Sequence, residues 1–271
     1  MCLSWFLLKI TKLRQAEPDL QKITLKKMSN TEQIGGLTCR TVQQIDDGQK
    51  PELVVVLCHG FGAPGTDLVG LGNELMRCQP QLMKSTQFIF PEAPLSLEEF
   101  GFYGGRAWWP LDVAKLNAAI EKGEFRDQRK YNPPELAEAR RLLTALVEEV
   151  RERTGLPASR IVLGGFSQGS MLATDVSLRL DEAPGALCVW SGTLLCEEQW
   201  RELAAKRGPL KVLQSHGTVD PILPFEAATW LRDLFTESGF DVDFIEFPNV
   251  HTIPREAVDQ FAQLLVSLLH E

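Results

Sequence analysis

Ile161-Val162-Leu163-Gly164-Gly165-Phe166-Ser167-Gln168-Gly169 is the stretch on which the reading of this chain turns. It opens on an apolar run and is followed by a helix-like segment from about Ser170 to Leu180. The pattern is strand, sharp turn, helix, with a serine at the apex. Small residues around that serine let the backbone turn tightly. The hydroxyl is lifted clear of the strand, and the next backbone N–H points at a reacting carbonyl. Ser167 is therefore the candidate nucleophile, and the N–H of Gln168 a candidate oxyanion donor.

A serine hydroxyl needs a base to take its proton and a third group to orient that base. Downstream, strand-like runs occur at Ala186–Trp190, Lys211–Ser215 and Asp243–Phe247. The second runs into His216-Gly217-Thr218-Val219-Asp220-Pro221, the third into Pro248-Asn249-Val250-His251-Thr252. An acid thus follows the second strand and a histidine the third. Serine, acid, histidine is the chain order of the α/β-hydrolase triad. The assignment is Ser167 as nucleophile, His251 as base and then acid, and Asp220 as the group that orients His251. Of the other histidines, His59 precedes the elbow, His216 stands on the same strand end as Asp220 as a supporting residue, and His270 suits a helix C-terminus.

Leu53-Val54-Val55-Val56-Leu57-Cys58 flows into His59-Gly60-Phe61-Gly62-Ala63-Pro64-Gly65. A glycine-containing loop after an early strand supplies the second oxyanion donor in such enzymes, which points to the N–H of Phe61. The same loop spells a rival motif from another functional class. Gly60, Gly62 and Gly65 match a dinucleotide fingerprint, with Glu92 as its acid. Pro64 removes a phosphate-facing N–H, and Glu92 lies 27 residues past Gly65. A non-catalytic binding protein on the same scaffold is the other rival, because fold alone does not establish activity.

Alternating strands and helices imply an α/β layered architecture. Helices are expected at about Thr66–Arg77, Pro134–Thr154, Ala227–Phe235 and Val258–Leu269, and a strand near Leu37–Ile45. In the second helix Asn132 is the expected cap, and Ala139, Leu142, Leu143, Leu146, Val147 and Val150 form one apolar stripe. The segment Pro94–Pro133 reads as a cap-like insertion. Its Phe102, Trp108 and Trp109 are expected to line an acyl-accepting groove, with Arg106 and Asp112 pairing to hold it down.

The formal charge of −8 argues against a nucleic-acid partner. The six cysteines are scattered without a C-x-x-C and read as free thiols in a reducing, cytoplasmic compartment. No metal-ligand spacing occurs, so no metal and no cofactor is expected. Residues 1–28 carry a net +4, leaving −12 for the remainder. They read as a disordered N-terminal extension, with residues 29–271 as a single α/β-hydrolase domain. The rival for residues 1–28 is a weak membrane-surface contact through Trp5, Phe6, Leu7 and Leu8, helped by acylation of Cys2.

Taken together these stretches resemble the phospholipase/carboxylesterase family, which includes the acyl-protein thioesterases. The matching residues are Leu57-Cys58-His59-Gly60-Phe61-Gly62, Phe90-Pro91-Glu92-Ala93-Pro94, Trp108-Trp109-Pro110-Leu111-Asp112, Gly165-Phe166-Ser167-Gln168-Gly169-Ser170, Ser215-His216-Gly217 with Asp220-Pro221, and His251-Thr252-Ile253-Pro254. The resemblance implies a cofactor-free serine hydrolase acting on carboxylic esters or thioesters. The chain departs from the family pattern at Ala63-Pro64-Gly65, at Ser170 and at Asn249-Val250, all near the expected pocket.

Overall fold

Strand β3 (Leu53–Cys58) is buried at every position. A strand apolar on both faces belongs in the middle of a parallel sheet covered on both sides. Its alternate side chains separate accordingly. Val54, Val56 and Cys58 enter one core, and Leu53, Val55 and Leu57 the other.

The computed structural model describes residues 29–271, so the extension and its surface-anchor reading lie outside the described residues. The main sheet has eight strands in the order β1-β2-β4-β3-β7-β8-β9-β10. Here β1 is Ser29–Ile34, β2 Leu37–Val42, β4 Thr86–Pro91, β7 Ile161–Phe166, β8 Ala186–Trp190, β9 Lys211–Gly217 and β10 Asp241–Phe247. Pairing is parallel from β4 across to β10, whereas β1 and β2 form an antiparallel hairpin on the β4 edge. Only part of this hairpin was legible, because β1 (SNTEQI) is polar and lies on the sheet edge.

Helices α1 (Val69–Cys78) and α7 (Arg255–His270) cover one face. The other face carries α3 (Leu136–Thr154), α4 (Gln168–Arg179), α5 (Glu197–Arg207) and α6 (Phe225–Glu237). The α3 stripe is buried as its periodicity implies. Its start differs from expectation: Glu135 occupies the cap position without a side-chain cap bond, and Asn132 instead accepts from Cys196 Sγ at 3.5 Å. The segment between β4 and α3 holds a two-stranded ribbon, β5 (Leu95–Ser96) with β6 (Arg106–Ala107), and a helix, α2 (Val113–Lys122). The expected Arg106–Asp112 pair does not form. Arg106 reaches Glu92 at 3.4 Å and the Ala93 carbonyl at 2.8 Å, while Asp112 caps α2 by accepting from Lys115 N–H.

Cys39, Cys58, Cys78, Cys188 and Cys196 are free thiols. Burial pushes Cys39 up to about 12, with the Glu32 charge adding to it, and Cys196 up to about 11, with Asp175 adding to it. Among the described residues no helix is long and apolar enough to cross a membrane.

One charge lies in the core behind the elbow helix. Asp175 on α4 is fully buried and accepts from Arg140 Nε at 2.5 Å, Arg179 Nε at 3.2 Å and Trp200 Nε1 at 2.8 Å. It ties α3, α4 and α5 together. Removing one partner of a buried ionic cluster strands the others in a poorly hydrated site. Asp175→Ala is therefore expected to lower the unfolding free energy by about 3 kcal/mol, measured by urea titration against the unsubstituted chain.

Candidate active site

The C-terminal ends of the parallel strands gather the predicted residues at one rim, where ligands bind in open α/β sheets. Between β7 and α4 the chain reverses within a single residue. Ser167 takes φ 54 and ψ −122, a conformation that costs an L-residue on the order of 1–3 kcal/mol. The crossing is tight enough to exclude side chains on both sides. A Cβ on Gly165 would stand 2.3 Å from the Cys58 carbonyl oxygen, and one on Gly169 2.2 Å from it. Hydrogen bonds hold the strained turn in place. Ser167 N–H donates to the Trp190 carbonyl at 2.8 Å, and Ser170 Oγ donates to the Ser167 carbonyl at 2.7 Å.

Asp220 follows β9 and His251 follows β10. The two loops are clamped by Thr218 N–H to the Phe247 carbonyl at 2.9 Å and Val219 N–H to the Asn249 carbonyl at 3.3 Å. This alignment brings His251 Nδ1 to 2.6 Å from Asp220 Oδ2. Asp220 Oδ1 accepts from the N–H groups of Ile222 at 2.8 Å and Leu223 at 3.0 Å. His216 Nε2, which donates to the Leu223 carbonyl at 2.8 Å, lies 3.3 Å from Oδ2. Burial works to raise the Asp220 pKa, but hydrogen bonds from His216 and His251 outweigh it, and the carboxyl sits well below its usual range. An ionised acceptor at Nδ1 keeps the proton on that nitrogen and leaves Nε2 as a base. The imidazole lies 4.7 Å, centroid to centroid, from the ring of Phe166, the residue before the serine.

After β3 the chain runs through His59 and Gly60 to Phe61. His59 Nε2 accepts from Ala93 N–H at 3.1 Å, so Nδ1 carries the proton and donates to the Gly60 carbonyl at 2.8 Å. Trp108 Nε1 donates to the His59 carbonyl at 2.9 Å. Across from this loop, Gln168 Oε1 accepts from Trp108 N–H at 2.9 Å and its Nε2 donates to the Trp109 carbonyl at 2.8 Å. The backbone N–H groups of Phe61 and Gln168 have no acceptor among the described residues, and both residues line the same cavity as Ser167. The arrangement can hold developing negative charge beside a serine hydroxyl.

The phospholipase/carboxylesterase family model matches residues 39–268. The chain belongs to that family. It is similar to acyl-protein thioesterase 1 of Neurospora crassa, 25% identical over 79% of this chain and 86% of the fungal protein. It is also similar to acyl-protein thioesterase 1 of Eremothecium gossypii, 31% identical over 71% of this chain and 77% of that one. Among solved structures, esterase PE8 superposes with a TM-score of 0.68 at 26% identity, covering 84% of this chain and 97% of its own. A carboxylesterase from Mesorhizobium loti shares the fold, with a TM-score of 0.63 at 16% identity over 88% of this chain and 98% of its own. The chain is a carboxylic ester hydrolase of the α/β-hydrolase fold.

For a member of this family, the dinucleotide reading of the β3 loop fails on geometry. A Cβ on Gly65 would meet the Glu92 side chain at 2.6 Å, so the face a pyrophosphate would use is filled. Three of the loop amides are spent within the protein: Gly62 N–H on the Arg106 carbonyl, Ala63 N–H on the Gly60 carbonyl, and Asp67 N–H on the Pro64 carbonyl. Among the described residues no three His, Cys, Asp or Glu side chains gather as metal ligands.

The cavity at Ser167 holds only about 40 Å³, and Trp109 forms part of its wall. Trp108 and Phe102 do not line it. Trp108 is 1% exposed and its indole packs on His59, at 5.6 Å between centroids. Phe102 meets the ring of Phe61 edge-on at 6.0 Å. Several residues of the site had no signal in the sequence. The side chain of Gln168 props the Trp108–Trp109 backbone, which a motif that marks only its N–H does not reveal. Arg126 and Tyr131 reach the cavity from the same segment, Pro94–Pro133, at positions the sequence reading did not single out.

The buried His59 gives this family member a testable pH signature. Burial lowers its pKa below the usual 6.5, with the Arg106 charge adding to that and the Gly60 hydrogen bond and Glu92 opposing it. Below 6.5 the unfolded chain takes up a proton that the native state resists, so this group's contribution weakens as the pH falls and is flat above 6.5. The stability difference between the unsubstituted chain and His59→Gln should therefore shrink between about pH 7 and about pH 5. Its slope is at most about 1.4 kcal/mol for each step of one in pH, the linkage of a single proton. Urea unfolding of both chains across that range checks it.

Proposed function

We propose that the chain cleaves carboxylic esters or thioesters through an acyl-enzyme on Ser167. His251 Nε2 takes the hydroxyl proton as Ser167 Oγ attacks the substrate carbonyl. The N–H groups of Phe61 and Gln168 receive the oxyanion. His251, now an imidazolium held by the Asp220 carboxylate, passes its proton to the departing alcohol or thiol. Water, deprotonated by the same imidazole, then releases the acid and restores the serine.

The reading rests on the 2.6 Å bond from His251 Nδ1 to Asp220 and on a serine held at φ 54, whose preceding residue, Phe166, packs its ring 4.7 Å from that imidazole. A strained serine and an imidazole with its Nδ1 proton held by a buried carboxylate support catalysis over a binding scaffold. The names of the fungal relatives support thioesters of acylated proteins as one substrate class. Free cysteines throughout residues 39–196 support a reducing, cytoplasmic location. The segment Pro94–Pro133 supports a cap-like role, since residues from it wall the cavity.

A fluorophosphonate probe should label the protein once, and Ser167→Ala should abolish the label. On 4-nitrophenyl esters, Ser167→Ala and His251→Ala are each expected to lower kcat by about 10⁴-fold or more. Labelling that persists in Ser167→Ala would overturn the nucleophile assignment.

A further inference from the structure

The cavity at Ser167 does not end in the core. It abuts an outer groove of about 450 Å³, and the two share Leu111, Leu116, Arg126, Gln128 and Tyr131. His251 lines neither space. Since the leaving group must sit where His251 can protonate it, the cavity and groove receive the acyl part. Close to Ser167 the wall is apolar, with Trp109, Met171, Leu195 and Leu223. The residues it shares with the groove are mixed, Leu111 and Leu116 beside Gln128, Tyr131 and a guanidinium.

That guanidinium is Arg126. It is half-buried, and its hydrogen bond to a protein group is a long one, Nη1 to the Ile222 carbonyl at 3.5 Å. Among the described residues no carboxylate lies within ion-pair distance of it. The acids nearest in sequence and on the groove wall are already engaged. Asp127 is held by Arg129 at 2.6 Å, and Asp112 caps α2. Partial burial without a counter-charge lowers the Arg126 pKa through desolvation alone. A guanidinium has five N–H donors in a planar fork that matches a carboxylate. Here nearly all of that capacity is unspent, at the end of an apolar channel that starts at the nucleophile.

We propose that Arg126 receives a carboxylate at the far end of the substrate's acyl chain, so that the preferred substrates are half-esters or half-thioesters of dicarboxylic acids. This rests on the hydrolase reading above and specifies its acyl group. The first carbons occupy the apolar cavity, and the terminal carboxylate emerges at the junction to meet the fork. A methyl-ended chain of the same length would leave the guanidinium partly desolvated and unpaired, which is the basis of discrimination.

The test compares 4-nitrophenyl monoesters of adipic, pimelic and suberic acids with the matched hexanoate, heptanoate and octanoate. At one length at least, the ω-carboxylate ester should lead in kcat/KM by about tenfold or more, mostly through KM. Arg126→Gln should bring that ratio close to one, and Arg126→Lys should leave it in between, since lysine keeps the charge without the fork. A ratio at or below one at every length overturns the proposal, as does a preference that survives Arg126→Gln. An ester with a neutral acyl group and a carboxylate on its leaving group gains nothing from Arg126, so Arg126→Gln should not lower its kcat/KM, and a loss would refute the acyl-side assignment. Calorimetric binding of suberate against octanoate reads the anion site without turnover. Suberate binding that is lost in Arg126→Gln supports the site even if Ser167 proves unreactive. Equal binding of suberate by both proteins refutes it even if the esterase reading stands.

Discussion

The close crossing of the chain over the end of β3 is the contact on which the rest of the site depends. Gly165 and Gly169 both press against the Cys58 carbonyl, at separations that leave no room for a Cβ. Ser167 has no choice but to turn between them in a left-handed conformation. Its amide is spent on Trp190 and its carbonyl on Ser170, so the turn is anchored to β8 on one side and to α4 on the other. The same crossing sets Gln168 at the first position of α4, its amide without an acceptor among the described residues and its side chain reaching the Trp108–Trp109 backbone. One steric constraint thus fixes the serine, an unspent amide and part of the cavity wall.

The second requirement is electrostatic. Asp220 is buried, and a buried carboxylate is stable only when its oxygens are satisfied. Two backbone amides take Oδ1, and two imidazoles approach Oδ2. The cost of desolvating this charge is offset by the groups that it orients, which is why it remains ionised next to His251. Asp175 meets the same requirement by other means, with two guanidinium groups and an indole, and it holds helices rather than a base. Arg126 stands apart from both: a half-buried charge that the described residues leave without a counter-ion.

Legibility followed burial. The strands of the parallel core β3, β7 and β8 are largely apolar runs and were readable as such. The α3 stripe was readable through its 3.6-residue period, whereas its cap was not, because Asn132 is engaged by Cys196 from a distant segment. β1 escaped notice because an edge strand with polar side chains has no pattern of its own and forms through pairing with β2. Trp108 and Trp109 look equivalent in sequence. Both are buried in the same core, but Trp108 donates to the His59 carbonyl whereas Trp109 also forms part of the cavity wall.

By itself the order of residues determined the fold class and marked Ser167, Asp220 and His251 as the candidate serine, acid and histidine, because each follows a strand of the parallel sheet. The tertiary structure alone decided which loop amides are spent, which tryptophan faces the cavity, and that Arg126 meets the channel leading from Ser167. Those facts depend on contacts between segments far apart along the chain, such as Gly65 with Glu92 and Thr218 with Phe247. Local periodicity carries no information about such contacts, since they arise only when separate loops converge at one edge of the sheet.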